Sequence, residues 1–194
     1  MAKEKLIILE GPQGVGKTGL TNWLREKIVY TNLYRLTGSK YKTEEEARKR
    51  SEIMYKNLVN YVAMMEDCGV NLLFDRIFIT EYVYCRLGYR SYDYSKVFKS
   101  LITKIDLADF DIYLFNLKIR DVNLFAERME RGGKPSHHAL MFNIENSTKQ
   151  QHVYDEVMNE IKSLTENIKV IDIYTDSFDE AKADIAKLLE MKEV

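Results

Sequence analysis

Eight residues near the N-terminus, Gly11-Pro12-Gln13-Gly14-Val15-Gly16-Lys17-Thr18, follow directly on the apolar segment Leu6-Ile7-Ile8-Leu9. They fill every fixed position of the pattern G-x-x-x-x-G-K-[ST], and an apolar strand ahead of it is the context that gives the pattern meaning. The glycines let the chain turn tightly from strand to helix, so that successive backbone N–H groups face one concavity and the dipole of the following helix adds positive charge there. A phosphate group suits such a place. The backbone of Gly11, Gly14, Val15, Gly16, Lys17 and Thr18 is therefore the candidate triphosphate cradle. Lys17 has the reach for the β- and γ-phosphates of a nucleoside triphosphate such as ATP, and the Thr18 hydroxyl can ligate the accompanying Mg²⁺.

The remaining chain has the periodicity of an α/β fold. Apolar runs with β-branched or aromatic content at Lys5–Glu10, 29–36, 70–75, 111–117 and Lys169–Tyr174 read as strands. Between them the spacing becomes helical. Thr43 and Glu46 form a capping-box pattern ahead of Ala47, Met54, Leu58, Tyr61, Val62 and Met65, and Ser177 with Glu180 opens a last helix carrying Phe178, Ala181, Ile185 and Leu188. Strands alternating with helices predict a mostly parallel sheet covered on both faces, with ligands outside the carboxyl ends of the strands.

At 194 residues the chain suits a single domain spanning 1–194, and no low-complexity tract or repeat marks a boundary. A formal net charge of -1 offers no general attraction to nucleic acid or to an acidic membrane, and neither is an expected partner. Cys68 and Cys85 lack metal-ligand or C-x-x-C spacing, which suits buried free thiols in a reducing compartment. No signal-peptide pattern opens the chain and no apolar run nears the roughly 20 residues that cross a bilayer, so a cytoplasmic location is expected. His137, His138 and His152 show no metal-binding spacing.

Two further groups of residues carry chemistry. Asp75-Arg76 ends the third apolar run, so it should emerge at the same sheet edge as the phosphate loop. There the carboxylate can hold Mg²⁺ with Thr18, and the planar guanidinium can grip a phosphate. Arg128 and Arg131 stand three residues apart in the helical stretch 121–131, which places both on one helix face.

The segments Leu9-Glu10-Gly11 through Thr18 and Phe74-Asp75-Arg76 resemble the thymidylate kinase and deoxynucleoside kinase superfamily. The resemblance implies a three-layer α/β/α P-loop kinase fold with a five-stranded parallel sheet and a short helical lid at about 120–140. It makes Lys17, Asp75, Arg76, Arg128 and Arg131 the catalytic set, with the two lid arginines closing over the nucleotide and Gly132-Gly133 as a hinge. ATP and Mg²⁺ are the implied cofactors, and a homodimer is implied by resemblance alone.

The acceptor leaves its own trace. A nucleoside hydroxyl benefits from a carboxylate base, whereas a monophosphate is already largely ionised near neutral pH, with a second pKa of about 6. Deoxynucleoside kinases place a glutamate just after the second strand, where this chain reads Arg35-Leu36-Thr37-Gly38. Thymidylate kinases read Arg-Glu-Pro-Gly there, so Arg35 and Gly38 fit while Leu36 and Thr37 depart. An added arginine suits a phosphorylated acceptor, held by Arg76 and Arg35, and the nearer resemblance is to thymidylate kinase. The phosphate-loop aspartate common in thymidylate kinases is Gln13 here, which can hydrogen-bond an acceptor hydroxyl without charge and leaves a modified or different pyrimidine open. From the aromatic stretch after Arg76, Phe78 and Tyr82 are the candidates for stacking on a base.

The expected activity is thus ATP- and Mg²⁺-dependent phosphoryl transfer to a deoxynucleoside monophosphate such as dTMP. The alternatives are a deoxynucleoside kinase, with Asp75 or Glu10 as base, and a slow nucleotide-dependent binding module. Against the last, Asn116-Leu117-Lys118-Ile119 does not fit the Asn-Lys-x-Asp of guanine-binding switches.

Overall fold

Alternation along the strands decides the architecture. In the computed structural model, which describes residues 3–36, 41–131 and 143–191, Leu6, Ile8, Leu72, Phe74, Ile112 and Leu114 face one apolar core, and Ile7, Leu9, Leu73, Tyr113, Phe115 and Leu117 face another. Neither face of the central strands meets water, so helices must cover both sides.

The strands are β1 (Lys5–Glu10), β2 (Thr31–Tyr34), β3 (Asn71–Asp75), β4 (Asp111–Lys118) and β5 (Lys169–Tyr174). They form one five-stranded sheet in the order β2-β3-β1-β4-β5, with every pairing parallel. The helices are α1 (Lys17–Lys27), α2 (Glu44–Met64), α3 (Phe78–Arg86), α4 (Ser95–Asp106), α5 (Asn123–Arg131), α6 (Ile144–Leu164) and α7 (Phe178–Leu188). Residues of α2, α3, α4 and α6 pack on one face, and those of α1, α5 and α7 on the other. The result is the three-layer α/β/α arrangement expected from the sequence. Because all strands run the same way, the ends of β1, β3 and β4 lie side by side, with Leu9 opposite Asp75 and Glu10 opposite Asn116.

Helix starts follow local chemistry. Thr43 caps α2 by accepting the Glu46 N–H at 3.2 Å, and Ser177 caps α7 by accepting the Glu180 N–H at 3.3 Å. Asn143 does the same for α6 through the Asn146 N–H at 2.8 Å. No helix among the described residues is long and apolar enough to cross a membrane.

Two expectations change. The second strand is shorter than the apolar run 29–36: Val29 and Tyr30 are 74% and 79% exposed, and Tyr30 turns the chain with φ of 50° before pairing starts at Thr31. Cys68 is exposed in the turn after α2 rather than buried, while Cys85 is half-buried and its thiol is pushed up to about 12, chiefly by burial. The stretch 123–131 is helical, as α5, but the remainder of the segment expected to form a lid, Gly132-Gly133 included, and Thr37, Gly38, His137 and His138 lie outside the described residues.

Leu73→Ala, at a fully buried site in β3, should lower unfolding free energy by about 2–5 kcal/mol. Val29→Ala should stay within about 0.5 kcal/mol. Urea unfolding of the two variants beside the parent chain checks both, and a large loss for Val29→Ala would restore the longer strand.

Candidate active site

The loop after β1 holds its shape because two positions accept only glycine. Gly11 has φ of 141°, and a β-carbon there would stand 2.5 Å from the Leu117 carbonyl oxygen in β4. Gly16, with φ of 98°, is the left-handed cap of α1, and a β-carbon there would meet the Phe178 ring at 2.5 Å. No side chain caps α1 and its first turn holds no acidic residue. The dipole at its N-terminus therefore favours an anion, with no acidic side chain in the first turn to offset it. Lys17, almost fully buried, arches back to donate from Nζ to the carbonyls of Gly11 at 2.7 Å and Pro12 at 2.6 Å.

A cleft of about 1160 Å³ opens in front of this loop. On the β3 side, buried Asp75 places Oδ2 3.3 Å from the Thr18 hydroxyl, which donates to it, and 2.7 Å from Arg35 Nε. The other end of the Arg35 guanidinium donates to Thr21 Oγ1 at 2.9 Å and Asn22 Oδ1 at 3.0 Å. A carboxylate out of water needs a cationic neighbour, and Arg35 supplies one.

Arg76 adopts φ of 73°, a left-handed conformation that costs a non-glycine residue about 1–3 kcal/mol. Its N–H donates to the Leu9 carbonyl at 3.1 Å. The next residue, Ile77, donates its N–H to Glu10 Oε1 at 2.8 Å, and Glu10 Oε2 accepts from the hydroxyls of Thr80 at 2.7 Å and Tyr154 at 3.2 Å. Burial pushes the Glu10 carboxyl above its ordinary value, while the Ile77 N–H, Arg76, Thr80 and Lys17 pull the other way. The Arg76 side chain donates from Nη1 to Tyr84 Oη at 2.9 Å, and Gln13 Nε2 reaches the same oxygen at 3.3 Å. The Gln13 N–H is taken by Gln150 Oε1 at 3.1 Å. Both Gln13 and Arg76 line the cleft.

The α5 side is equally built. Arg128 donates from Nη1 to the Val15 carbonyl and to Thr175 Oγ1, each at 3.1 Å, and from Nη2 to the Thr175 carbonyl. The fully buried Thr175 hydroxyl donates to the Val15 carbonyl at 2.7 Å, tying the end of β5 to the loop. Phe178 lies against Gly16 and Gly19, with the Arg128 guanidinium 5.2 Å from its ring centre. Asp176 accepts the N–H groups of Arg120 and Asp121 at 2.9 Å each.

Of the sequence candidates, Gln13, Lys17, Thr18, Arg35, Asp75, Arg76 and Arg128 converge on this cleft. The side chain of Arg131 lies outside the described residues. Phe78 and Tyr82 do not line the cleft. Phe78 is fully buried between Tyr55 and Phe98, and Tyr82 stacks on Phe98 at 4.1 Å with its hydroxyl on Glu160 at 3.1 Å. Both serve the core, because α3 buries the face that carries them. Sequence reasoning passed over Tyr84, which the structure joins to Arg76 and Gln13 and which no local spacing singles out from the neighbouring aromatics. Arg90, which pairs with Glu81 at 3.3 Å, lines a second, smaller cavity.

No family model matches the chain, and no curated protein matches it in sequence. Solved structures do match in three dimensions. The thymidylate kinase of Candida albicans superposes with a TM-score of 0.68 at 14% identity, over 98% of this chain and 92% of that one. The deoxyadenosine kinase of M. mycoides with bound dATP gives 0.61 at 16% identity over 96% and 99%, and the same enzyme with bound dCTP gives 0.58 over the same shares. This is the fold of the thymidylate and deoxyadenosine kinases. In that kinase fold, the sheet edge carrying Gly11–Thr18 is also the one carrying Asp75, Arg76 and Thr175.

Gly16→Ala should lower the melting temperature, since the new methyl must displace Phe178 and the loop together. Thermal melts of the variant beside the parent chain check this, and an unchanged melting temperature would contradict it. For Glu10, Gln should keep the fold, whereas Ala should cost about 3 kcal/mol by orphaning Ile77 N–H and two hydroxyls. Chemical unfolding of the two variants, compared with the parent, tests that difference.

Proposed function

We propose that this protein is an ATP- and Mg²⁺-dependent kinase that transfers the γ-phosphoryl group to a pyrimidine deoxynucleoside monophosphate. The observation that carries the reading is the placement of three guanidinium groups, from Arg35, Arg76 and Arg128, around the one cleft that also holds the loop lysine and the Thr18–Asp75 pair. Phosphoryl transfer between two nucleotides gathers more negative charge than the loop and one lysine balance, and this cleft has the cations to spread it.

In this reading the loop N–H groups and Lys17 hold the β- and γ-phosphates, and Arg128 stabilises charge on the transferring group from the α5 side. Arg76 and Arg35 hold the acceptor phosphate, an oxygen of which attacks the γ-phosphorus as the bond to the β-phosphate oxygen breaks and ADP departs. Thr18 and Asp75 offer two hard oxygen donors within 3.3 Å of each other, a set that fits Mg²⁺ with the remaining ligands from phosphate and water. When bound, that ion neutralises charge between the β- and γ-phosphates. Glu10 is fully buried and saturated with donors, so its role is to hold Arg76 and Ile77 rather than to act as a base. We place the chain as one catalytic unit with α5 as the described part of its lid.

ADP release from Mg·ATP, measured across deoxynucleosides and their 5′-monophosphates against an acceptor-free control, should rise only with monophosphates. Turnover with nucleosides alone would make the protein a deoxynucleoside kinase with Asp75 as base, and no acceptor-dependent turnover would overturn the kinase reading. Lys17→Ala should lower kcat about 10²–10³-fold. Arg76→Ala should raise the acceptor KM about 10- to 100-fold with a smaller change in the KM for ATP; an unchanged acceptor KM would remove Arg76 from acceptor binding.

A further inference from the structure

A second cavity of about 220 Å³ adjoins the cleft and shares Leu36 and Arg76 with it. It is smaller than the roughly 300–1,000 Å³ typical of whole-ligand pockets, and suits one ring system entering from the cleft. Leu36, Met54 and Tyr55 give it apolar walls, while Glu81, Tyr84 and Arg90 give it polar ones. Tyr84 also carries the hydrogen bond from Arg76, so the polar end of the cavity is continuous with the candidate phosphate grip.

Glu81 and Arg90 form a fixed pair. Glu81 Oε1 accepts both Arg90 Nε at 3.3 Å and the Tyr92 hydroxyl, whose phenol burial keeps protonated. Among the described residues, the hydrogen bonds of this pair all end on Glu81 Oε1 and Arg90 Nε, so Oε2 and the two Nη groups hold no protein partner. The unused functions are thus one anionic acceptor beside a fork of donors, held in place by contacts that use only the pair's other atoms. The pair is partly buried, at 14% and 32% side-chain exposure, which strengthens its selectivity over a fully solvated one.

Resting on the proposed kinase reading, we infer that this cavity takes the acceptor's base, and that Glu81 and Arg90 select cytosine over thymine. The polar edge of cytosine presents a donor, an acceptor and a second acceptor in order: the exocyclic amino group, N3 and O2. One carboxylate oxygen and two guanidinium N–H groups complement that series group for group. Thymine presents acceptor, donor, acceptor, so a carboxylate on its N3–H faces two carbonyl oxygens. Guanine needs both carboxylate oxygens, one of which is already occupied by Tyr92 and Arg90. Adenine offers a matching amino group and ring nitrogen but no second acceptor for the fork. Glu81 and Arg90 are in this account specificity-determining residues, separate from the phosphoryl-transfer groups.

Calorimetric titration of the full chain with dCMP, dTMP, dAMP and dGMP, without ATP, reads base selection independently of turnover. dCMP should bind about tenfold or more tightly than dTMP. Glu81→Gln, which keeps shape but replaces the anion with a partial donor, should shrink that ratio by about tenfold, with circular dichroism and melting temperature recording that the fold is kept. Equal binding of all four, a preference for dTMP, or a ratio unaltered by Glu81→Gln overturns the assignment, as does the absence of binding. The parallel ADP assay separates the two readings. Cytosine-selective binding without phosphoryl transfer overturns the proposed function and supports the base site, whereas transfer without base selection overturns the base site alone.

Discussion

Glu10 closes the central strand with a carboxylate that solvent does not reach, and its two oxygens are taken by the Ile77 N–H and by the hydroxyls of Thr80 and Tyr154. Those donors come from the β3–α3 junction, from α3 and from α6, so one side chain fixes three elements against the end of β1. The bond to Ile77 also accounts for the backbone of its neighbour. With Ile77 N–H pulled to Glu10 and the Arg76 N–H pulled to the Leu9 carbonyl, Arg76 is held in a left-handed conformation that an unconstrained residue would leave. The guanidinium is thereby delivered to Tyr84 and the cleft rather than to solvent.

Asp75 shows the complementary constraint. At 5% exposure its carboxylate needs positive charge close by, and Arg35 supplies it at 2.7 Å while remaining 40% exposed itself. Solvent around the arginine weakens the pair, so its contribution to stability is modest. In the proposed reaction the same guanidinium has two claimants, the Asp75 carboxylate and the acceptor phosphate. A doubly charged phosphate, offering more acceptor oxygens, competes effectively for a planar fork. The pair therefore keeps an exposed arginine near the place where an acceptor would use it.

How far the chain could be read without coordinates depended on whether local chemistry alone fixes a residue's place. The phosphate loop and Asp75-Arg76 were legible because parallel strands bring all carboxyl ends to one edge, whatever the details of packing. The caps at Thr43 and Ser177 were legible for a similar reason, since a cap is a contact within three residues. Phe78 and Tyr82 misled because α3 buries Phe78, Ile79, Thr80, Tyr82 and Val83 together, leaving no one-sided apolar stripe from which to phase the helix. Val29 and Tyr30 misled because apolar residues at a strand's edge look the same in sequence whether they pair or stay in water. Tyr84, Thr175 and the Glu81–Arg90 pair were invisible for a third reason: each gains its place only through partners across a turn or far away in the chain.

Thr175 shows what such distant partnerships achieve. Its hydroxyl sits in the core at the end of β5 and donates to the Val15 carbonyl, while Arg128 from α5 donates to that carbonyl and to Thr175 as well. Arg128 is thus seated on the loop before any nucleotide is considered, and Lys17 is likewise drawn over the loop by the carbonyls of Gly11 and Pro12. Two long cationic side chains, each with about 2 kcal/mol of rotamer entropy to lose, are already ordered by the fold. A phosphate entering the cleft has to win these groups from carbonyl oxygens, which are neutral acceptors, and its negative charge makes that exchange favourable. In the proposed reaction, the cost of gathering the cations is thereby borne by β5, α5 and the loop, and more of the interaction with phosphate would be left to appear as binding or as stabilisation of the transferring group.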